Sequence, residues 1–196
     1  MTKQLELDSV GLHGIRYFIQ SGRAVLYPIY KGTYHRKSKS RPRTSLAWRD
    51  QVVQMCKDLS RSVDYLETRN DIDRSKIAYH GISLGSVTAL PCLAVEPRLK
   101  TAILQGGGLS SGAPAPEIDP LNFAPRIRFP VLMISGRNDF QFPVEQLQRP
   151  LFRLLGSAAA DKRHFLVEGG HVDPRNLVVK ESLDWLDKYL GPVSGN

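Results

Sequence analysis

The chain has 196 residues, of which 41% are hydrophobic and 23% are charged, with a formal net charge of +8. This length and composition are typical of one globular domain with a buried core, and they exclude a disordered chain. No apolar run is long enough to span a membrane and the first residues lack the apolar core of a secretory signal, so we expect a cytoplasmic protein with no membrane partner.

Apolar spacing predicts how the chain divides into helices and strands. In the first part it predicts helices over 8–20 and 45–69, with a β-rich run over 24–30 between them that is predicted as the first strand. Short apolar runs then alternate with helical patterns, which is the order of a parallel sheet. Predicted strands cover 76–80, 100–105, 131–135 and 164–167, and predicted helices cover 83–96, 144–155 and 174–190. The prediction is a single α/β domain over residues 1–196, with a mainly parallel central sheet flanked by helices.

Three further features bear on function. The segment 106–128 is rich in Gly, Pro and Ser, which predicts a long loop or a small irregular excursion that forms a short cap. Cys56 and Cys92 lie in predicted helices among apolar neighbours, and we interpret both as small buried apolar side chains. The stretch 31–43 carries six positive side chains and no acid. Because it lacks interleaved aromatics and a nucleic-acid-binding fold, we expect a solvated loop and no nucleic-acid partner.

A possible nucleophile stands in a Gly-x-Ser-x-Gly pattern over 81–85, directly after a predicted strand and before a predicted helix. In so tight a turn the serine takes a strained backbone conformation, and its hydroxyl stands clear at the carboxyl edge of the sheet. The amides of the helix N-terminus then face any oxyanion formed there, and the backbone N–H of Leu84 is the expected first donor. A Gly-rich turn without function is the alternative, but the position between strand and helix favours Ser83 as a nucleophile.

A serine nucleophile needs a base to take its proton and an acid to orient that base. Asp139 lies in a turn after the predicted strand 131–135, where capping the next helix is its alternative role. His171 lies on a Gly-rich loop after the strand 164–167. Suitable side chains thus follow three successive strands in the order serine, acid, histidine, which predicts a catalytic triad of Ser83, Asp139 and His171.

The other polar residues are interpreted as structural. Asp173 would cap the last helix, and Glu168 flanks the histidine without a predicted role. Asp71 and Asp73 precede the strand that leads to Ser83, at the end of the sheet away from the site. The remaining histidines do not lie on loops at the carboxyl ends of strands. No group of residues has metal-ligand spacing and no Gly-rich loop would hold a phosphate, so we expect neither metal nor cofactor.

Together these motifs resemble a known superfamily. The runs DRSKIA and GISLGS over 73–86, GRNDFQFP over 136–143 and GGH over 169–171 are similar to those of α/β-hydrolases of the esterase, dienelactone-hydrolase-like and prolyl-oligopeptidase-like branches. The resemblance covers about 24–190. It implies a mainly parallel sheet flanked by helices, and acyl transfer through an acyl-enzyme on Ser83.

The amino end departs from that family pattern. Family members usually carry two or three strands before the run at 24–30, and the loop after one of them supplies the second oxyanion donor. We find no such strands here, so a shortened form of the fold is expected, with the second donor sought around Tyr30 or Tyr34. A shortened sheet also exposes an edge strand, which favours a homo-oligomer.

The expected function is hydrolysis of short-chain acyl esters by a serine carboxylesterase, because a short cap leaves an open, shallow pocket for a small ester. The enzymatic alternatives are a peptidase and a dienelactone-type hydrolase, although dienelactone hydrolases normally use a cysteine where Ser83 stands. The other alternative is a catalytically weak hydrolase-like domain that serves binding or assembly.

Overall fold

The computed structural model describes residues 9–37, 44–110, 112–171 and 175–193, with the backbone alone for 9–13. Within these residues four strands form one parallel sheet in the order β1, β2, β3, β4. The strands are β1 Ala78–Ile82, β2 Thr101–Gln105, β3 Val131–Gly136 and β4 Lys162–Val167. The predicted parallel sheet is therefore confirmed.

Six α-helices accompany the strands in the described part of the chain: α1 Ser9–Gln20, α2 Ser45–Glu67, α3 Leu84–Val95, α4 Pro120–Phe123, α5 Arg149–Leu154 and α6 Arg175–Leu190. The helix predicted over 144–155 is interrupted, because Val144–Gln148 forms a wide π turn before α5 begins. No helix in this part of the chain is both long and apolar enough to cross a membrane.

Helices cover both faces of the sheet. One face packs against α2 and α3 in a core that includes Val63 and Leu104. The other packs against α1 and α6 in a core that includes Phe18, Ile103 and Trp185. Ile103 and Leu104 are neighbours on β2 and point to opposite faces, as the two-residue period of a strand requires. An α/β fold with both faces buried results.

The β-rich run over 24–30 does not form a strand, so that prediction is wrong. Its apolar residues are used in packing instead: Val25 packs against the α1 and α6 core, and Tyr30 against the α2 and α3 core. Strand propensity produces a strand only where a neighbouring backbone is available for pairing. Among the described residues β1 pairs with β2 alone and the run 24–30 has no strand beside it.

The start of β1 also differs from the prediction, by two residues. Asp73 accepts a hydrogen bond of 2.9 Å from the backbone N–H of Ser75 and so caps a 3₁₀ turn over Arg74–Lys76. Lys76, which was assigned to the strand, is thus held in the turn. At its other end β1 runs two residues beyond the prediction, to Ile82, directly before Ser83.

The segment predicted as a long loop or small excursion has local structure in its second half. Short 3₁₀ turns at Pro116–Ile118 and Ala124–Arg126 flank α4. Ile118 and Ala124 are buried, so these turns are fixed to the body of the domain.

A disulfide joins Cys56 of α2 to Cys92 of α3, with 4.6 Å between their Cα atoms. The interpretation of these cysteines as separate apolar side chains is therefore wrong. A bond across a sequence separation of 36 restricts the unfolded chain and contributes about 4 kcal/mol to stability in the chain-entropy account. It also ties α2 to the helix that begins beside Ser83.

Candidate active site

Ser83 occupies the turn between β1 and α3, as the sequence predicts. Its backbone has φ 51° and ψ −111°, in the left-handed half of conformational space where a side chain is strained. Such strain persists only where the surroundings hold it in place. The helix begins at the next residue, Leu84, whose N–H lies in the first turn and has no helical carbonyl to bind.

His171 lies on the loop that follows β4, and its Nε2 is 2.9 Å from Ser83 Oγ. This loop passes very close to the end of β3, where Gly136 is needed because a side chain there would overlap the carbonyl of Gly170. Two backbone hydrogen bonds join this loop to the loop after β3, from Arg137 N–H to the carbonyl of Val167 and from Asn138 N–H to that of Gly169, both of 2.9 Å. The histidine and the acid are thus held on two loops with a fixed separation.

Asp139 is buried, with 3% of its surface exposed, and its Oδ2 is 2.9 Å from His171 Nδ1. Its Oδ1 accepts backbone N–H bonds of 2.8 Å from Gln141 and 3.0 Å from Phe142. One carboxylate oxygen thus caps the turn and the other faces the imidazole. Asp139 therefore combines the capping role and the role of the acid, which the sequence analysis treated as alternatives. The ring of Phe142 lies 5.9 Å from that of His171 and packs beside it.

A continuous chain of hydrogen bonds thus runs from Ser83 through His171 to Asp139. An ionised carboxylate only accepts, so Asp139 selects the tautomer with the proton on Nδ1. His171 Nε2 is then free to accept the serine proton. The arrangement can generate a serine nucleophile, and β1, β3 and β4 each precede one of its three members.

Two other histidines are half-buried structural residues. His80 packs edge-on against Phe18 with ring centroids 5.0 Å apart, and burial lowers its pKa to about 4. His164 Nε2 lies 3.2 Å from both Ser135 Oγ and Gln148 Oε1, and burial also lowers its pKa to about 4. Both are therefore neutral at pH 7 and away from the serine.

Two of the acids that the sequence analysis interpreted as structural form ion pairs with nearby arginines. Asp71 pairs with Arg69, and Glu168 pairs with Arg137 at 2.7 Å. Asp173 lies outside the described residues. Among the described residues no group of three or more His, Cys, Asp or Glu could hold a metal ion.

The residues considered for the second oxyanion donor are engaged elsewhere. The phenol of Tyr30 interacts with that of Tyr79, and the phenol of Tyr34 lies 3.2 Å from that of Tyr27. The next amides are used as well: Lys31 N–H binds Asp58 Oδ2 at 2.7 Å, and those of residues 32 and 33 bind carbonyls within 30–36. Of the basic loop that follows, residues 38–43 lie outside the described part.

Two residues near the nucleophile were missed by the sequence analysis. Ser86 Oγ lies 2.7 Å from the carbonyl oxygen of Gly81, and Tyr79 Oη donates a 2.8 Å hydrogen bond to the carbonyl of Gly85. Tyr79 lies four residues before Ser83 and Ser86 three residues after it. Many residues that only fill the core occur at such positions. The only signal in the sequence is a hydroxyl group at two positions that face the interior.

Comparison with known proteins gives a family match over most of the chain. Residues 13–160 match the dienelactone hydrolase family. An uncharacterized protein of Mycobacterium tuberculosis is 30% identical in an alignment of 148 positions that covers 68% of this chain and 51% of that protein. The chain thus spans about half the length of the curated relatives it matches.

Solved structures share the fold at low sequence identity. An esterase of Pyrococcus furiosus superimposes with a TM-score of 0.71 at 16% identity, over 91% of this chain and 78% of that one. A cold-adapted esterase from an Arctic intertidal metagenomic library gives 0.62 at 21% identity, over 74% and 64% of the two chains. A dienelactone hydrolase from Anabaena variabilis gives 0.58 at 22% identity, over 71% and 61%. With its parallel sheet, its Gly-x-Ser-x-Gly turn and the family match over most of its length, this chain belongs to the dienelactone hydrolase family of the α/β-hydrolase superfamily.

Proposed function

We propose that this protein is a serine carboxylesterase that hydrolyses short-chain acyl esters through an acyl-enzyme on Ser83. The observation that carries the proposal is the hydrogen-bonded chain of serine, histidine and buried aspartate, with 2.9 Å at each contact. The family match and the esterases among structures of the same fold support a hydrolase.

In the first half of the proposed reaction Ser83 Oγ attacks the ester carbonyl carbon while His171 Nε2 takes the hydroxyl proton. Asp139 holds the Nδ1 proton and stabilises the imidazolium that forms. The oxyanion accepts a hydrogen bond from Leu84 N–H, and the alcohol leaves with the proton that His171 returns to it. The products of this half are the free alcohol and an acyl group on Ser83.

In the second half a water molecule attacks the acyl group, and His171 takes the proton of that water. The tetrahedral intermediate collapses, the carboxylic acid leaves, and Ser83 regains its proton from His171. The base is neutral and the serine is protonated again at the end of the cycle.

We propose Leu84 N–H as the principal oxyanion donor. The phenol of Tyr30 and the amides of residues 31–33 already have partners, which argues against these groups as the second donor in this conformation. Loss of one donor typically costs a factor of about 10² to 10³ in rate. We therefore expect turnover slower than that of an enzyme with two donors.

Small substrates are proposed because the surroundings of the serine are apolar and open. Ile82 and Leu84, its two chain neighbours, are 40% and 52% exposed, and Phe140, beside Asp139, is 80% exposed. These side chains could contact a short acyl chain but leave a long one in water. A short acyl group therefore gains most of the available contact area.

We expect p-nitrophenyl acetate and butyrate to be hydrolysed with a kcat/KM at least about tenfold above that of the octanoate, because methylene groups beyond the first few gain no buried contact. Initial rates over a range of substrate concentrations measure this. A higher kcat/KM for the octanoate would contradict the short-chain proposal but would leave the assignment of Ser83 as nucleophile unaffected.

The family match favours a dienelactone-type hydrolase as the second candidate. Such an enzyme would open an unsaturated lactone, and turnover of a dienelactone well above that of p-nitrophenyl acetate would select it. A peptidase would cleave a peptide substrate better than either ester or lactone, and an inert binding domain would turn over none of them. Labelling by a fluorophosphonate separates these last two, because an inert domain does not react.

We also propose that the single domain self-associates. In the described residues β1 has a strand neighbour on one side only, and Ile19 and Ile82 are 55% and 40% exposed. Exposed edge strands favour association between copies. Light scattering during gel filtration should give at least twice the mass of one chain, whereas the mass of a single chain over the micromolar range would contradict this proposal.

A cytoplasmic location, expected from the sequence, remains a proposal. The Cys56–Cys92 disulfide counts against it, because disulfides are rare in the reducing cytosol. The oxidation state of these two cysteines in protein taken directly from its own cells tests both points.

A further inference from the structure

Two hydroxyl groups connect β1 and α3 on either side of Ser83. Ser86, on the helix, reaches back to the carbonyl of Gly81 at 2.7 Å. Tyr79, on the strand, reaches forward to the carbonyl of Gly85 at 2.8 Å. Strand and helix are thus joined in both directions across the turn that holds the serine.

The space between these elements is filled by the ring of Tyr79. A Cβ atom at Gly81 would lie 2.8 Å from Cε1 of Tyr79 and 2.7 Å from the carbonyl carbon of Gly85. The strand, the ring and the first turn of α3 are therefore in contact. Any change in the ring position is transmitted to the residues that follow Ser83.

The direction of the hydrogen bonds follows from their chemistry. A carbonyl oxygen only accepts, so the single hydroxyl proton of Tyr79 is donated to Gly85. The phenol of Tyr30 interacts with that of Tyr79, which in this arrangement has only acceptor capacity left to offer it. Burial raises the pKa of Tyr79 well above its ordinary value and that of Tyr30 to about 12. Both phenols therefore keep their protons at neutral pH. We refer to the phenols of Tyr30 and Tyr79 and the Gly85 carbonyl together as the relay.

The strained serine gives this relay a function. A residue with φ 51° relaxes unless its neighbours hold it, and relaxation would move both Ser83 Oγ and Leu84 N–H. Both groups must be placed within a fraction of an ångström for attack and for oxyanion binding.

We propose that Tyr79 is a positioning residue, whose hydrogen bond to the Gly85 carbonyl holds the first turn of α3 so that Ser83 Oγ and Leu84 N–H meet the substrate carbonyl together. This inference rests on the proposed esterase function. Tyr79 does not contact the reacting atoms, so its effect is transmitted through Gly85. Its loss should lower kcat and leave substrate binding nearly unchanged.

The test is Tyr79→Phe, which removes one hydroxyl and keeps the ring. With p-nitrophenyl butyrate we expect kcat to fall about tenfold while KM stays within about twofold, and the rate of fluorophosphonate labelling should fall by a similar factor. The matched control is Tyr189→Phe, which removes a phenol that binds Asp161 Oδ1 at 3.0 Å away from the site. The control should keep kcat within about twofold of wild type.

A kcat for Tyr79→Phe within twofold of wild type, or a loss confined to KM, would overturn the inference and leave the esterase proposal standing. If wild type is labelled without turning over esters, the ratio of labelling rates carries the same test. A wild type that neither hydrolyses nor labels refutes the proposed function and this role with it.

Should Tyr79→Phe fail to fold, Tyr30→Phe provides the second variant, because it leaves the bond from Tyr79 to Gly85 in place and removes only the donor behind it. A two- to fivefold loss in kcat at unchanged KM is then expected. Unchanged kcat in that variant would overturn the relay.

Discussion

Ser83→Ala should lower the rate of ester hydrolysis to below about a thousandth of wild type while the fold stays intact. The substitution removes the only atom proposed to attack the substrate. Among the described residues the Ser83 hydroxyl is hydrogen-bonded to His171. Loss of this hydroxyl therefore disturbs the site and not the core. Alanine has the same Cβ as serine, and the strained turn is therefore expected to survive.

Initial rates with p-nitrophenyl acetate and butyrate measure the effect, and the urea unfolding midpoint checks the fold. Ser62→Ala is a suitable control, because its hydroxyl donates to the Asp58 carbonyl on α2, away from the triad, and it should keep wild-type activity. Residual hydrolysis by Ser83→Ala above a thousandth would argue for a different nucleophile. Absence of turnover in wild type as well would favour a binding or assembly domain.

Asp139→Asn should reduce kcat by about 10⁴ with little change in folding. The backbone amides of Gln141 and Phe142 both donate to Oδ1, and only an oxygen can accept from them. The amide oxygen of the variant will therefore stay in that place, which turns the NH₂ group toward His171. An NH₂ group donates to Nδ1 and forces the imidazole proton onto Nε2. In that tautomer His171 cannot accept a proton from Ser83.

The tautomer is itself a measurable outcome of this substitution. ¹⁵N chemical shifts of His171 should show the proton on Nδ1 in wild type and on Nε2 in Asp139→Asn. Asp73→Asn is the control, since that exposed residue caps a turn before β1 and should affect kcat less than twofold. Activity of Asp139→Asn above a hundredth of wild type, with the wild-type tautomer retained, would remove Asp139 from the proposed mechanism.

Patterns within one stretch of chain were sufficient to predict most of the fold. Strand alternation, helical spacing and the Gly-rich turn are local, so β2, β3, α2 and α6 lie within two residues of their predicted positions. The candidate site could also be predicted from the sequence, because parallel strands bring their carboxyl ends to one edge of the sheet. Order along the chain therefore predicted that Ser83, Asp139 and His171 would converge.

The tertiary structure decided what depends on a distant partner. The run 24–30 has the composition of a strand, but it is not part of the sheet formed by the described residues, and composition cannot reveal that. The disulfide requires α2 and α3 to lie side by side, and Tyr30 and Tyr79 meet because two segments far apart in sequence pack against the same core. Local sequence therefore determined the elements and the reactive turn, whereas long-range packing decided which hydroxyls and amides remain available for chemistry.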